Sequence, residues 1–585
     1  MKDFLKQVAA VIIGVFIIGA FSAIMGIIML TAMVSTGNQK TPLTDGSILH
    51  LNLNGVISER AVENPFAEIL NDGSMQEQGL DQMLKAIKVA KTNDMVSGIY
   101  IEGGTTGSDF ASLEELRKAL VDFKESNKFV VAYGENYTQG AYYVASVADK
   151  IMINPSGMLD WHGIASQPMF FKELLEKLGV KMQVFRVGTY KSAVEPFTGT
   201  EMSPANRAQV KSFITDIWNV ICNDVSASRH ISVDTLNLYA DKYSAFNDAN
   251  EYVKMNLVDT TTYIDGLRDE LRTLSKKDKI NLISAKDLAL YEEAPTHESV
   301  AVYYAYGDIV GAEQSNALGG AAQIVGPNVV KDLDNLMNDE SVKAVVLRIN
   351  SGGGSAFASE QMWRAIQLLK AKKPVVVSMG GMAASGGYYM SCGADYIFAE
   401  PTTLTGSIGI FGMIPDVSGL LTDKIGLHFD IVKTNESSDF GTMARGFNAA
   451  ESAAMQNFIN HGYALFLKRV AEGRNMSVAS VDSIAQGRVW TGNQALEIGL
   501  VDKLGTLDDA VAEAAQRAKL DSYSVISSPK QPNILDQLTK TLESNYLESK
   551  LQYTLGEFYQ PLRFAKTLEG RDCIQARIPF TPNLN

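Results

Sequence analysis

The chain has 585 residues, of which 46% are hydrophobic and 20% charged, so its composition excludes collagen-like, low-complexity and disordered architectures. The formal net charge of -14 argues against nucleic acid as a partner, because binding to a phosphate backbone needs a basic face. The three cysteines, Cys222, Cys392 and Cys573, form no CxxC or Cys/His cluster. We therefore expect neither a disulfide framework nor a metal site, and no cofactor.

The first feature along the chain is an uncharged apolar run over residues 8–34. As a helix it would be about 40 Å long, enough to cross a hydrocarbon core of about 30 Å. A cleavable signal peptide has an apolar core of only about 7–15 residues. We predict an N-terminal membrane anchor over residues 1–34, and a long signal peptide cut near Ala23 or Ala32, or a buried core helix, remain alternatives.

Two lysines, Lys2 and Lys6, precede this run. Positive residues on the N-terminal flank favour a cytoplasmic N-terminus. A polar linker is predicted over residues 35–46, and the remaining chain would lie outside the cytoplasmic membrane.

The body of the chain contains one domain twice. Residues 137–164 align with residues 383–410 at a constant offset of 246 without a gap, and nine of the 28 pairs are identical. Chance would give about two identities at ordinary residue frequencies. We therefore predict a tandem duplication, with repeats over 47–280 and 299–520 and a connection over 281–298.

Each copy alternates apolar, β-branched runs with helical patterns. In the second copy the predicted strands are 300–306, 342–349 and 375–379, and the predicted helices are 328–337, 360–370 and the stretch after Ala384. Near-continuous apolar strands between helices indicate a parallel sheet covered on both faces, so the fold class is α/β. Residues 521–585 lack the repeat and are predicted to be a tail of one short strand and amphipathic helices.

Two glycine-rich turns, residues 350–355 and 379–387, follow strands of the second copy. Ligands of open parallel sheets bind beyond the carboxyl ends of the strands, so both turns should face one crevice. Ser385, flanked by small residues between a strand and a helix, resembles a nucleophile elbow. A glycine-rich packing turn is the alternative for this segment. A phosphate-binding loop is the alternative for the triple glycine, although neither GxxxxGK[ST] nor GxGxxG is present.

A nucleophilic serine needs a base. None of the six histidines belongs to a strand-end or glycine-rich pattern, so a Ser/His/Asp triad has little support. Lys191 follows an apolar strand of the first copy, and burial could hold it neutral. The first copy has Gln139 where the second has Ser385, and residues 431–438 of the second copy place a serine opposite Lys191. A solvated surface lysine is the alternative.

Four strings together resemble a known family: MAASGGYYMSCGADYIFAEPTTLTGSIGIFG, the INSGGGS turn upstream of it, GTYKSAVEPFT in the first half, and GRVWTGNQALEIGLVDKLG downstream. They closely resemble the long, duplicated form of the signal peptide peptidase A (protease IV) family. The resemblance implies two tandem Clp-protease/crotonase-like domains with parallel sheets and a Ser/Lys dyad. Ser385 would be the nucleophile and Lys191 the general base. The backbone N–H groups of Gly386 and of the Gly353/Gly354 turn would form the oxyanion hole.

The same resemblance implies a membrane-facing homotetramer that degrades hydrophobic peptides, namely remnants of cleaved signal peptides. The expected location is the bacterial inner membrane, with a single span and the catalytic domains on the periplasmic side. A catalytically silent membrane scaffold, or an acyl-CoA-type enzyme, is the alternative, because the same fold also hosts acyl-CoA enzymes and fold does not fix function. The resemblance implies nothing about the C-terminal tail.

Overall fold

The computed structural model describes residues 42–61, 77–291, 297–313, 322–531 and 574–577, and single positions at 14, 19, 21 and 25. Apart from those four positions, the predicted anchor over residues 1–34 lies outside the described residues. Within the described part of the chain, no helix is long and apolar enough to cross a bilayer.

The first repeat is built on a six-stranded sheet. The strands of this repeat, six of which form that sheet, are β1 (Ser47–Asn52), β2 (Gly55–Ser58), β3 (Glu77–Gly79), β4 (Val96–Glu102), β5 (Thr106–Gly107), β6 (Phe129–Tyr137), β7 (Lys150–Leu159), β8 (Lys181–Arg186), β9 (Thr260–Thr261) and β10 (Leu282–Ser284). The sheet has the order β10-β1-β4-β6-β7-β9, and every pairing within it is parallel. β10 lies within the predicted connection, so the first sheet extends past residue 280.

Helices of the first repeat connect these strands. They are Leu80–Thr92, Phe110–Lys124, Gln139–Ala145, Lys172–Lys177, Glu195–Thr198, Pro204–Arg229, Val233–Ala240, Ala249–Lys254, Ile264–Ser275 and Ala285–Ala289. Asp109 begins the second of them, since its side chain accepts a hydrogen bond from the N–H of Ser112. The helices cover a sheet of apolar side chains on both faces, as the pattern of the sequence predicts.

The second repeat has the larger sheet. The strands of this repeat and of the tail are β11 (Ser299–Tyr306), β12 (Asp308–Val310), β13 (Gln323–Val325), β14 (Val342–Ser351), β15 (Gly353–Ser355), β16 (Val375–Ala384), β17 (Tyr396–Ala399), β18 (Leu404–Gly406), β19 (Phe411–Asp416), β20 (Val489–Thr491), β21 (Lys503–Leu504), β22 (Ser524–Ser528) and β23 (Ile574–Arg577). The last two belong to the tail. The central order is β20-β18-β16-β14-β11-β22. Its helices are Gly326–Asn338, Ala356–Lys370, Gly386–Ser391, Ala449–Arg474, Val478–Ile484, Gly492–Glu497 and Leu507–Arg517, with a π-helical turn at Leu420–Ile425.

The strand before Ser385 is longer than predicted. β16 continues to Ala384, so the first half of the predicted turn over residues 379–387 is wrong. A methyl group on Gly380 would lie 2.3 Å from Glu59 Oε1, and one on Gly381 would lie 2.2 Å from the carboxyl carbon of Asp109. These glycines therefore serve close packing against the first repeat within a strand.

The described part of the tail is extended. β22 adds to β11 in parallel and so completes the sheet of the second repeat. β22 agrees with the one short strand predicted for residues 521–585, and β23 is a second strand that was not predicted. The predicted helices of the tail lie outside the described residues. These segments are strands because their backbones pair with neighbouring strands. Such pairing leaves no periodic pattern in the sequence of the segment itself.

A third sheet joins the two repeats. Its order is β13-β12-β15-β23-β19-β8, so β8 of the first repeat pairs with β19 of the second. A buried ion cluster also holds the repeats together. Arg348 Nε donates to Glu59 Oε2 at 2.8 Å, and Arg348 Nη2 donates to Glu115 Oε2 at 2.6 Å. Arg348 is only 1% exposed, and Glu59 and Glu115 are buried with it. The guanidinium therefore balances the negative charge of both carboxylates away from solvent.

We expect Arg348→Met to lower the free energy of unfolding by about 3–5 kcal/mol, because it leaves two buried carboxylates without their cation. Urea unfolding followed by far-UV circular dichroism measures the change. Arg517→Met is the matched control, since Arg517 pairs with Glu513 at the surface and such pairs contribute at most about 1 kcal/mol. An equal, small effect of both variants would contradict the buried ion cluster.

Candidate active site

Ser385 lies between β16 and the helix Gly386–Ser391 and is fully buried. Its backbone has φ 55° and ψ -110°, a conformation that residues other than glycine rarely adopt. Two hydrogen bonds hold it there: its N–H donates to Gly406 O at 2.8 Å, and its carbonyl accepts from Tyr389 N at 2.7 Å. The strained strand-to-helix turn is the backbone geometry of a nucleophile elbow.

Lys191 lies against Ser385 although the two are 194 residues apart in the chain. Its Nζ is 2.7 Å from Ser385 Oγ and 3.0 Å from both the carbonyl oxygen and Oγ of Ser407. Lys191 is fully buried, and no carboxylate pairs with its amine among the residues that the structure describes. Ser385 Oγ also lies 3.5 Å from Gly409 O. None of these partners is a histidine.

Burial lowers the pKa of Lys191 well below its ordinary value, because desolvation disfavours the ammonium form and no opposite charge in the described part of the chain offsets it. A neutral amine has two N–H donors and one lone pair. The three oxygens around Nζ match this set when Ser407 accepts both N–H groups and the lone pair faces Ser385 Oγ. Burial of the amine without a carboxylate among the described residues favours this uncharged form.

The third sheet positions Lys191. β8 pairs antiparallel with β19, and the chain then turns so that Tyr190 N donates to Gln486 O at 2.9 Å. Gly487 has φ +78°, and a methyl group on it would lie 2.6 Å from Lys191 Cβ. Only a glycine in this conformation lets the lysine backbone pack so closely. This close packing brings the amine of Lys191 next to Ser385 and Ser407 of the second repeat.

The two glycine turns lie together, as the strand-end argument predicts. A methyl group on Gly353 would lie 2.8 Å from the backbone nitrogen of Gly386. The N–H of Gly353 donates to Ser351 Oγ at 3.1 Å. Gly354 packs against β12, since a methyl group on it would lie 2.1 Å from Ile309 O. Gly353 and Gly386 are therefore adjacent to the serine turn, whereas Gly354 faces a neighbouring strand.

The first copy replaces the serine by a structural amide. Gln139 Oε1 accepts from the N–H groups of His162 and Gly163, and its Nε2 donates to Gly163 O at 3.0 Å. The predicted equivalence of Lys191 with residues 431–438 has no support in the structure. That segment is exposed and contains no strand, because the chain there leaves the sheet instead of pairing with it.

Ser407 is the site residue that the sequence analysis missed. Its N–H donates to Arg488 O at 2.6 Å, and it adopts φ 49°, which turns both of its oxygens toward Lys191. The sequence did contain a signal for Ser407: at the offset of 246 the second copy has this serine where the first copy has Trp161. The same comparison that distinguishes Ser385 from Gln139 would have found it.

We expect the stability of Lys191→Met to depend less on pH than that of the parent chain. Unfolded Lys191 binds a proton up to about pH 10.4, whereas the folded amine loses it at a lower pH. Between these two pKa values the unfolded state holds one more proton, so parent stability rises with pH by about 1.4 kcal/mol per unit. Urea unfolding at several pH values from 7 to 10 measures the difference.

Lys468→Met, at an exposed lysine, is the matched control. Its difference from the parent should stay constant with pH. A constant difference for Lys191→Met as well would mean that Lys191 is charged in the folded protein.

Comparison with known proteins places the chain in a family. The sequence model of peptidase family S49 matches residues 122–278 and again residues 367–521, which confirms the predicted duplication. The Clp protease model matches residues 319–403, in agreement with a Clp-protease-like fold.

Several relatives match most of the chain. Protease 4 of Salmonella typhi is 38% identical over 531 residues, covering 87% of this chain and 84% of that protein. Protease 4 of Haemophilus influenzae is 36% identical, covering 84% and 82%. The chloroplastic serine protease SPPA of Arabidopsis thaliana is 28% identical, covering 81% and 70%. The chain therefore belongs to peptidase family S49 and is a serine peptidase with a duplicated family domain.

Proposed function

We propose that this peptidase cleaves peptides through an acyl-enzyme, with Ser385 as the nucleophile and neutral Lys191 as the general base. The observation that carries the proposal is the 2.7 Å distance between Lys191 Nζ and Ser385 Oγ at a fully buried amine without a carboxylate partner among the described residues. A charged lysine could not accept the serine proton, whereas a neutral amine can.

In the first half of the reaction the hydroxyl of Ser385 gives its proton to the lone pair of Lys191. The serine oxygen bonds to the carbonyl carbon of the peptide, and the carbonyl oxygen becomes an oxyanion. Backbone N–H groups of Gly386 and of the Gly353/Gly354 turn stabilise this charge, and the N–H of Gly353 exchanges its acceptor in the free site, Ser351 Oγ, for the oxyanion. Each donor contributes about 3–4 kcal/mol in comparable sites. Lys191 then transfers the proton to the leaving amine as the C–N bond breaks.

In the second half, water releases the acyl group. Lys191 is neutral again and takes a proton from a water molecule, whose oxygen attacks the ester carbon. The ester bond breaks, and the proton returns to Ser385. Throughout, Ser407 keeps the amine oriented, since its carbonyl and hydroxyl oxygens accept the two N–H groups.

The proposed substrates are hydrophobic peptides, in particular remnants of cleaved signal peptides. The family resemblance and the apolar run over residues 8–34 support this substrate class, since an anchor would hold the site beside segments that leave the bilayer. We propose a single-pass protein of the bacterial inner membrane that assembles as a homotetramer, with its N-terminus in the cytoplasm and its catalytic domains in the periplasm.

We expect Ser385→Ala and Lys191→Ala each to reduce kcat/KM for a fluorogenic hydrophobic peptide by at least about a thousandfold, because both halves of the reaction need the pair. Ser527→Ala and Lys468→Ala, which lie in β22 and on an exposed helix face, are the controls. Parent-like activity of Lys191→Ala would make the cross-repeat dyad wrong.

The same variants separate a peptidase from a silent scaffold or an acyl-CoA-type enzyme. A fluorophosphonate probe should label Ser385 in the parent chain and fail to label Ser385→Ala. Folded parent protein that resists the probe would favour the scaffold. Turnover of thioesters with no peptide cleavage would favour the acyl-CoA-type enzyme.

Activity should rise with pH through the depressed pKa of Lys191 and then level off, because only the neutral amine accepts the serine proton. The pH profile of kcat/KM for the parent chain measures this dependence. Activity that falls over the same pH range would contradict a lysine base.

We expect Ser407→Ala to lower kcat about tenfold, the effect of losing one hydrogen bond that orients the base, with little change in KM. Steady-state kinetics at several pH values separate this role from a structural one. A rise in KM with unchanged kcat would show that Ser407 acts on substrate binding instead.

A further inference from the structure

Lys191 lies at the centre of a tight backbone turn. Its φ of -74° and ψ of 76° are close to the values of about -75° and +65° that define an inverse γ-turn. The hydrogen bond of such a turn is present, since Ser192 N donates to Tyr190 O at 2.8 Å. The geometry of residues 190–192, the lysine turn, therefore sets the direction in which the lysine side chain leaves the backbone.

Gln209 holds both ends of the lysine turn. It lies on the helix Pro204–Arg229 of the first repeat and is only 1% exposed. Its Nε2 donates to Tyr190 O and to Ser192 Oγ, each at 3.0 Å. These two acceptors match the two N–H groups of a glutamine amide. One side chain thus binds the residues on either side of Lys191.

The same amide connects the lysine turn to the second repeat. Gln209 Oε1 accepts a hydrogen bond from Val489 N at 3.2 Å. Val489 begins β20 and lies opposite Gly406 of β18. The carbonyl of Gly406 accepts the N–H of Ser385 at 2.8 Å, and Ser407 is the next residue along the chain. Gln209 therefore links the backbone of the base to the strand that supports the nucleophile.

Further buried contacts hold the amide in place. Asn206, one helical turn before Gln209, accepts the hydroxyl of Ser192 at its Oδ1 at 2.9 Å, and this oxygen is also 3.1 Å from Gln209 Nε2. Asn206 Nδ2 donates to Glu195 Oε2 at 2.9 Å. Because these side chains are buried, a broken bond would leave a polar group without water, and the network favours one arrangement.

We propose that Gln209 is a positioning residue for the general base, whose amide fixes the lysine turn and so keeps the amine of Lys191 on Ser385 Oγ. The inference rests on the proposed function for the role of Lys191. Without the amide, Tyr190 O and Val489 N lose a shared partner, and the turn is free to shift. A base must stay within hydrogen-bond reach of the proton that it takes, so a small shift lengthens the 2.7 Å contact and slows the reaction.

We expect Gln209→Met to lower kcat for the fluorogenic hydrophobic peptide about tenfold with little change in KM, because the base is misplaced while substrate binding is not affected. Methionine keeps the length of glutamine and removes its donor and its acceptor. Steady-state kinetics measure the change, and far-UV circular dichroism establishes that the variant is folded. Unchanged kcat in the folded variant, with or without a rise in KM, would overturn the proposal.

The pH profile separates positioning from a loss of folded protein. A looser lysine turn admits water to the amine, and hydration favours the ammonium form, which raises the pKa of Lys191 toward its ordinary value. The rising limb of kcat/KM should therefore move to higher pH by at least about half a pH unit. A smaller folded fraction would lower the whole profile without moving it. A rising limb at the parent position would overturn the proposal.

The charges around the lysine turn stay the same in this variant. Arg186 donates to the carbonyl of the central residue at 3.2 Å, and the guanidinium of Arg488 lies 5.2 Å from the ring centre of Tyr190. Glu195 reaches the turn through Asn206. Since all three charged groups remain, a moved limb reports the geometry and hydration of the amine and not the loss of an ion.

Gln494→Met is the matched control. Gln494 Nε2 donates to Ser212 Oγ at 3.1 Å, so this side chain also joins the helix Pro204–Arg229 to the second repeat. Its other hydrogen bonds are with Thr491, outside the lysine turn. We expect the kcat and the pH profile of the parent chain. An equal shift in both variants would mean that any loosening of this helix moves the base, and it would overturn the specific role of Gln209.

Ser192→Ala decides the question if Gln209→Met does not fold. It removes a single hydroxyl and leaves Gln209 bound to only one end of the lysine turn. We expect a smaller shift of the rising limb in the same direction, and a parent-like profile would overturn the proposal. Activity retained by Lys191→Ala would reject the lysine base itself. An inactive Lys191→Ala beside a parent-like Gln209→Met would reject only the positioning role.

Discussion

The contact between the buried amine of Lys191 and the hydroxyl of Ser385 is the constraint on which the rest of the structure depends. No carboxylate pairs with the amine among the described residues, so burial disfavours its ammonium form and favours a neutral amine held by oxygens. Ser385 and Ser407 supply them. Because the amine and the serine come from different repeats, a contact of 2.7 Å requires the repeats to be fixed precisely to each other. The shared sheet and the buried Arg348 cluster provide that rigidity.

Duplication explains why the two halves are similar in fold and different in chemistry. Where the second copy has the strained Ser385, the first has Gln139, whose amide fastens a loop through three hydrogen bonds. Where the second copy has Ser407, the first has Trp161, which is fully buried in the hydrophobic core. At these two positions the first copy has residues that serve packing and hydrogen bonding, and it contributes Lys191 to the site.

The elements that could be predicted are those whose own residues show, by their hydrophobicity, whether they are buried or exposed. Strands such as β11 and β14 are continuous apolar runs because both faces of the sheet are covered, and they lie where the pattern predicts. The serine turn was recognisable from its small residues. The continuation of β16 through Gly380 and Gly381 was not, because the reason for those glycines is a close approach of Glu59 and Asp109 from the other repeat. β23 has only four residues, and it forms a strand because it pairs with β15 on one side and β19 on the other.

The amino-acid order was sufficient to establish the α/β class, the duplication and the difference between Ser385 and Gln139, because each leaves a periodic or repeated pattern along the chain. The sequence named Lys191 as the partner of that serine, but the distance between the two side chains, the contacts of Ser407 with the amine and the position of the C-terminal strand came from folding in three dimensions. Each depends on backbone groups that lie far apart in the chain, and hydrogen bonds between such groups have no regular sequence pattern. Distance and burial, which set the protonation state of the lysine, exist only once the two repeats have packed together.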